Sequence, residues 1–207
     1  MPLLRRVPQK LHIGAGKLRL EGWVNIDIQA LPGVDVVADV TEGLDFRNVE
    51  AVYAEHFLEH LDIQAALAFL LECHRVLRPD GWLRLSTPNL DWVWSTHYPP
   101  YFEGRQKEEA AIRANRAFYG WRHRFLWNRE LLGRALRACG FEDLRWCRYR
   151  ESDLEVFQGL ERHETYTDTD EMPHVLIVEA RRGRSQEADL AALRAEIHDE
   201  FLIHLDD

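Results

Sequence analysis

The stretch KLHIGAGKLRLEGWVNID (residues 10–27) decides the fold. Its first residues, KLHIG (10–14), read as a buried strand that runs into Gly14-Ala15-Gly16. A glycine-rich turn at a strand end lets a ligand approach the backbone, because no side chain stands in the way. Free backbone NH groups in such a turn can meet a carboxylate or phosphate. A second apolar run, WVNIDI (23–28), ends near Asp27. A carboxylate at the end of the second strand can accept hydrogen bonds from ribose hydroxyls. Arg19 occupies the third glycine position of the dinucleotide fingerprint. The pattern therefore favours a nucleoside without a pyrophosphate.

Outward from this stretch, short apolar runs alternate with helical patterns. VDVVADV (34–40) reads as a third strand, EAVYAE (50–55) as a fourth and WLRLSTP (82–88) as a fifth. Between the last two, Ile63, Ala66, Leu67, Leu70, Leu71, His74 and Leu77 recur at helical spacing, and Pro79-Asp80-Gly81 ends that helix. Strands joined by such connections point to βαβ units in a mostly parallel sheet. The first connections are short, so their crossovers are expected to be a turn or two of helix.

The second half reads differently. Residues 91–104 are aromatic, contain Pro99-Pro100 and are expected to form a loop. Residues 105–119 read as a helix, and 128–139 as another, capped by Asn128 and ended by Gly140. Residues 141–150 and 174–182 read as strands. The tail from residue 185 reads as a capped amphipathic helix with the stripe Leu190, Leu193, Ile197, Phe201, Leu205. It is expected to pack on the body, with pairing to a second copy as the alternative.

The chain has 207 residues, enough for one domain with a sizeable core. A net charge of −9 argues against broad nucleic-acid binding. Residues 105–150, however, carry twelve Lys or Arg against five Asp or Glu, a basic segment on an acidic body. It either faces an anionic acceptor or coats a solvated surface. No apolar run approaches the roughly 20 residues that span a bilayer. No secretory leader is evident at the N-terminus. Cys73, Cys139 and Cys147 lack metal-ligand spacing and read as thiols, so a cytoplasmic protein is expected.

Residues 55–60, EHFLEH, contain H-x-x-E-H, the inverted zinc-protease signature. That signature needs both histidines within one helix. His56 instead follows directly on the fourth strand. A zinc peptidase using His56, Glu59 and His60 is therefore the least favoured of three readings, and no metal is expected.

LHIGAG with GWVNID, VDVVADVTEGLDF (34–46), VYAEHFLEHL (52–61), HRVLRPDGWLRLSTPNL (74–90), RFLWNRELLGRALRACGFEDLR (124–145) and GLERHE (159–164) together resemble the class I S-adenosylmethionine-dependent methyltransferases. More narrowly, they are similar to a bacterial group met near polysaccharide and glycosyltransferase functions. The resemblance implies an α/β, Rossmann-like fold with seven strands, mostly parallel, the last antiparallel, and flanking helices. It implies a methyltransferase domain at 1–182, with 91–123 on the acceptor side, and leaves the helix at 183–207 outside. Gly14, Ala15 and Gly16 would pass beneath the methionine part of S-adenosylmethionine. Asp27 would hold the ribose, Ile28 would pack on the adenine, and Asp39 with the Val40 backbone would read its amino edge. Glu55 and His56 would lie beside the sulfonium, with His56 a candidate base. The stretch FRNVEAVYAE departs from the group in being shorter and less acidic.

The expected activity is transfer of a methyl group from S-adenosylmethionine to oxygen or nitrogen of a small-molecule or glycan-like acceptor. A catalytically silent nucleoside-binding domain is the alternative. Trp92, Trp94, His97, Tyr98, Tyr101, Tyr119, Trp121 and His123 either line the acceptor pocket or form a satellite core under a long segment. Arg122 and Arg124 are candidates to hold an acceptor phosphate.

Overall fold

A computed structural model describes residues 9–163, 169, 171–184 and 186–205. The expectation of no leader at residues 1–8, Glu164 of the GLERHE segment and the last two residues of the tail lie outside the described residues.

Seven strands form one sheet: β1 (Lys10–Ile13), β2 (Val24–Asp27), β3 (Val36–Val37), β4 (Val49–Glu55), β5 (Leu77–Pro88), β6 (Phe141–Trp146) and β7 (Val175–Arg182). Their order is β3-β2-β1-β4-β5-β7-β6. β1 to β5 pair in parallel, and β7 runs antiparallel to both of its neighbours. The expected Rossmann-like architecture with an antiparallel last strand is thus observed. Among the described residues, five α-helices accompany the sheet: α1 (Ile63–Val76), α2 (Leu90–His97), α3 (Gly104–Asn115), α4 (Arg129–Ala138) and α5 (Glu187–Glu200).

Side chains alternate along β4 and β5 and so define two faces. Val52, Ala54, Leu83 and Leu85 join the main core with residues of α1, α4 and α5. Ala51, Tyr53 and Trp82 point the other way, into a second cluster with Leu20, Trp23, Phe157, Leu154, Val156 and Leu160. That second face is covered by connecting segments.

Several local readings need correction. The crossovers between β1, β2, β3 and β4 contain turns and bends but no helical turn among the described residues. Loop side chains such as Leu20, Val40 and Leu44 bury the apolar surface that a helix would otherwise cover. The third strand is two residues long. Beyond it the Asp39 side chain accepts from the Thr41 amide and hydroxyl, which turns the chain away from β2. The fifth strand starts at Leu77, because Pro79-Asp80-Gly81 forms an irregularity within it, with Asp80 at φ +63°. Gly81 is required there, since an added Cβ would lie 2.9 Å from the Arg78 carbonyl oxygen. The expected loop at 91–104 opens as helix α2, capped by Asn89 accepting from the Asp91 amide. The sixth strand stops at Trp146. In the tail, α5 has no side-chain cap at Gln186. It packs on the body through buried Leu193 and the Arg134–Glu196 ion pair at 2.7 Å, as its stripe suggested. The three cysteines are free thiols, two of them buried.

Buried charge pins the β6–β7 connection across the second face. The Arg84 side chain in β5 is fully buried and donates to Glu161 at 2.6 Å and to Glu179 of β7. Glu161 also accepts from the Arg150 amide at 2.9 Å, and Glu179 from the Ser152 hydroxyl at 2.6 Å. At the tip of β4, Glu55 Oε1 accepts from the amides of Arg162 and His163 and from the His163 ring, all at 2.7–2.8 Å. Glu55 Oε2 accepts from the Tyr53 hydroxyl at 3.0 Å. Burial alone would push the Glu55 carboxyl up, but the His163 ring and the two amides outweigh it and hold it at about 2.

Removing the shared cation leaves two carboxylates in the dry interior. Arg84→Met should lower the unfolding free energy by about 3–5 kcal/mol, measured by denaturant titration. The triple variant Arg84→Met, Glu161→Gln, Glu179→Gln should recover much of that loss. Glu55 titrates lower in the folded chain than in the unfolded one, so its contribution is present above its ordinary pKa and fades as pH falls toward 2. The stability gap between the parent and Glu55→Gln should narrow by about 3 kcal/mol over that window, read from urea unfolding at stepped pH.

Candidate cofactor and active site

The carboxyl ends of β3, β2, β1 and β4 lie side by side, the place where open α/β sheets bind ligands. Sheet order therefore brings the candidate residues to one edge. At the tip of β1, Gly14 has φ +66° and Gly16 has φ +55°, both in the left-handed region. Gly14 is also forced by packing, because an added Cβ would stand 2.6 Å from the Phe57 ring. A Cβ at Gly16 would find only the Gly14 carbonyl at 4.0 Å, so the backbone there is open to a ligand. Ala15 is buried and its amide donates to Ile26 at 3.0 Å, tying the turn to β2.

Asp27 ends β2 and orders this turn from the other side. Its Oδ2 accepts from the Gly16 amide at 2.8 Å and its Oδ1 from the Gln29 amide at 2.9 Å. Each carboxylate oxygen keeps a second lone-pair direction for a hydroxyl. Ile28 beside it is 64% exposed, a large apolar side chain held in solvent at the sheet edge. Asp39 is exposed, and its hydrogen bonds from Thr41 hold its carboxyl below the usual range. The Val40 side chain is buried.

Asn25 shapes the β1–β2 turn and was not anticipated. It is fully buried, and its Oδ1 meets the His12 ring at 3.0 Å and accepts from the Leu20 amide at 2.8 Å. Its amide nitrogens donate to the carbonyls of Leu20 and Trp23 and to Asp35. Asp35, held at about 2 first by these Asn25 donors, also takes Arg19 at 2.8 Å. The side chain at the missing glycine position is thereby turned outward to the β2–β3 turn.

Past β4 the chain bends sharply, and His56 sits at φ +47° with its amide donating to Ser86 at 3.0 Å. A non-glycine residue in this region is uncommon and marks local strain. The His56 Nδ1 lies 2.8 Å from Glu59 Oε1. Burial works to lower the His56 pKa, but the Glu59 bond and the charges of Glu59 and Glu55 raise it above its ordinary value. The His163 ring packs edge-on against it at 4.9 Å. Glu55, by contrast, directs its carboxyl at the 162–163 backbone and the Tyr53 hydroxyl.

Leu58–His60 form a short 3-10 turn, so His56 and His60 do not share an α-helix. Glu59 in this turn is wholly buried and also accepts from the Thr87 hydroxyl at 3.0 Å. Its backbone carbonyl takes the amides of Arg124 at 2.8 Å and Phe125 at 3.3 Å, which brings His123 beside His60 with rings 5.3 Å apart. Burial lowers the His123 pKa. Glu59 carries a sequence signal, as the acid of the H-x-x-E-H pattern; the approach of His123 carries none.

The aromatic stretch divides between its two readings. Val93, Ala117 and Leu126 form a small buried cluster backed by Trp92 and Phe118. Trp94, Tyr98, Tyr101, Tyr119 and Trp121 are exposed. Arg124 pairs with Asp62 at 3.0 Å.

A family model described as a methyltransferase domain matches residues 20–85. No curated protein matches the chain in sequence. Among solved structures, the fold is shared with a SAM-dependent methyltransferase from Archaeoglobus fulgidus (19% identity, TM-score 0.54, covering 84% of this chain and 86% of that one). It is shared also with a SAM-dependent methyltransferase, possible histamine N-methyltransferase, from Thermotoga maritima (15% identity, TM-score 0.51, 86% and 84% covered). A third is Burkholderia thailandensis 1,6-didemethyltoxoflavin-N1-methyltransferase, with bound 1,6-didemethyltoxoflavin and S-adenosylhomocysteine (16% identity, TM-score 0.50, 85% and 72% covered). The chain thus shares its fold with these S-adenosylmethionine-dependent methyltransferases, and a methyltransferase-domain model matches about a third of its length.

Proposed function

We propose that the protein is an S-adenosylmethionine-dependent methyltransferase acting in the cytoplasm on oxygen or nitrogen of a small-molecule or glycan-like acceptor. The observation that carries this reading is the row of strand tips. Gly14 to Gly16, Asp27 with Ile28, Asp39 and His56 stand at the ends of four neighbouring strands. The residues fit the cofactor: the open backbone at Gly16 suits its amino-acid end. The free lone pairs of Asp27 suit the ribose hydroxyls, and the exposed Ile28 suits the adenine face.

The bound cofactor supplies an already activated methyl group, so the chain contributes mainly positioning. Asp27 and the glycine turn would hold the donor at the strand tips. His56, held by Glu59 through Nδ1, would serve as the base that takes the acceptor's proton at its other ring nitrogen. The exposed aromatics of 94–121 offer flat surfaces with polar tips for a sugar-like acceptor. The cytoplasmic setting and the glycan-like acceptor rest on the sequence reading alone.

Calorimetry with S-adenosylhomocysteine tests the cofactor half. The parent should bind, and Asp27→Ala should bind at least about tenfold more weakly, a loss of about 1.4 kcal/mol. Equal binding by the two proteins would remove Asp27 from the site. His56→Ala should bind the cofactor like the parent while turnover falls about 10²- to 10⁴-fold. Binding without turnover in the parent on any acceptor would favour the silent domain.

A further inference from the structure

We infer that Glu59, His60 and His123 form a binding site for one divalent first-row transition-metal ion, next to His56. One ligand atom from each of these residues lies within 4.8 Å of the others. Ligands at about 2.0–2.2 Å from a shared ion stand about 3–4 Å apart, so small side-chain rotations close the gap.

The three side chains are already oriented as metal ligands are. A ligating histidine characteristically gives its other ring NH to a backbone carbonyl, which fixes the tautomer and frees the second nitrogen. His123 Nδ1 meets the Ala117 carbonyl at 2.7 Å, and His60 Nδ1 faces the Arg122 carbonyl at 3.4 Å. Both leave Nε2 as the free acceptor. Glu59 is positioned by partners of its own, His56 on Oε1 and Thr87 on Oε2, and each oxygen retains a lone pair. The three residues come from two segments that the Glu59 carbonyl joins through the amides of Arg124 and Phe125. The site is therefore built into the backbone.

Two imidazoles and one carboxylate select Zn²⁺, Co²⁺, Mn²⁺ or Fe²⁺ over Mg²⁺ and Ca²⁺, which prefer oxygen alone. Three protein ligands leave coordination positions open. His123 also lines a cavity of about 670 Å³ together with Tyr119, Arg122, Arg124 and Leu205. An acceptor oxygen reaching the ion from that side would be polarised and more readily deprotonated. This last role rests on the methyltransferase reading; the ion site itself does not.

Co²⁺ added to the metal-stripped protein is the probe. We expect one equivalent by calorimetry, with visible absorption bands of an imidazole- and carboxylate-bound cobalt ion. His60→Ala and His123→Ala should each weaken binding at least tenfold, while His204→Ala, an exposed histidine in the tail, should bind like the parent. S-adenosylhomocysteine binding, measured on the same proteins, should be unchanged in all three. Absent cobalt binding in the parent, or unaltered affinity in His60→Ala and His123→Ala, would overturn the site. Cobalt binding without S-adenosylhomocysteine binding would instead keep the site and remove the methyltransferase reading.

Discussion

A carboxyl group shut away from water organises the end of the sheet around His56. Glu59 has no solvent contact, and an unpartnered polar group in that position would cost several kcal/mol. It is tolerated because its side chain is engaged by His56 and Thr87 and its backbone carbonyl by Arg124 and Phe125. Those partners come from the end of β4, the end of β5 and the segment before α4. The Glu59 carboxylate thereby fixes the strained turn at His56, and its backbone carbonyl fixes the approach of His123.

The same logic governs the opposite face of the sheet. Helices α1, α4 and α5 bury the apolar side of β4 and β5 in the ordinary way. The other side is closed by irregular chain, which has few regular hydrogen bonds to offer. Arg84, Glu161, Glu179 and Glu55 supply directed contacts instead, and backbone amides at 150, 162 and 163 donate to the carboxylates. Isolated buried charges would be costly; a network in which each charge meets its opposite or several donors is affordable. One result is that His163 is delivered against His56, joining the two clusters.

Much of the architecture was legible along the chain. Short apolar runs located the strands of the sheet, and the 3.6-residue stripe located α1 to within a residue. Asn128 and Gly140 bounded α4 by capping chemistry alone. The failures have local causes. Residues 91–104 looked like loop because Pro99-Pro100 and the aromatics outweighed the Asn89 cap that starts α2. The helix expected between early strands is absent because loop side chains bury the same surface. The third strand is brief because Asp39 bonds its own neighbours instead of continuing the ladder.

The sequence by itself determined the edge that carries Gly14, Gly16 and Asp27: strand, glycine turn, strand and acid are consecutive in the chain, so local geometry carries them to one place. It determined too that His56 follows a strand, which disfavours a helical metal motif. Only the tertiary structure decided what surrounds that edge. His163 reaches Glu55 across 108 residues, and His123 reaches His60 across more than 60, by folds of chain that no periodicity encodes. Glu55, read locally as a group facing the cofactor, is engaged by a distant backbone. Local patterns report the energies of neighbours in sequence, whereas buried polar groups choose partners wherever the folded chain presents a donor.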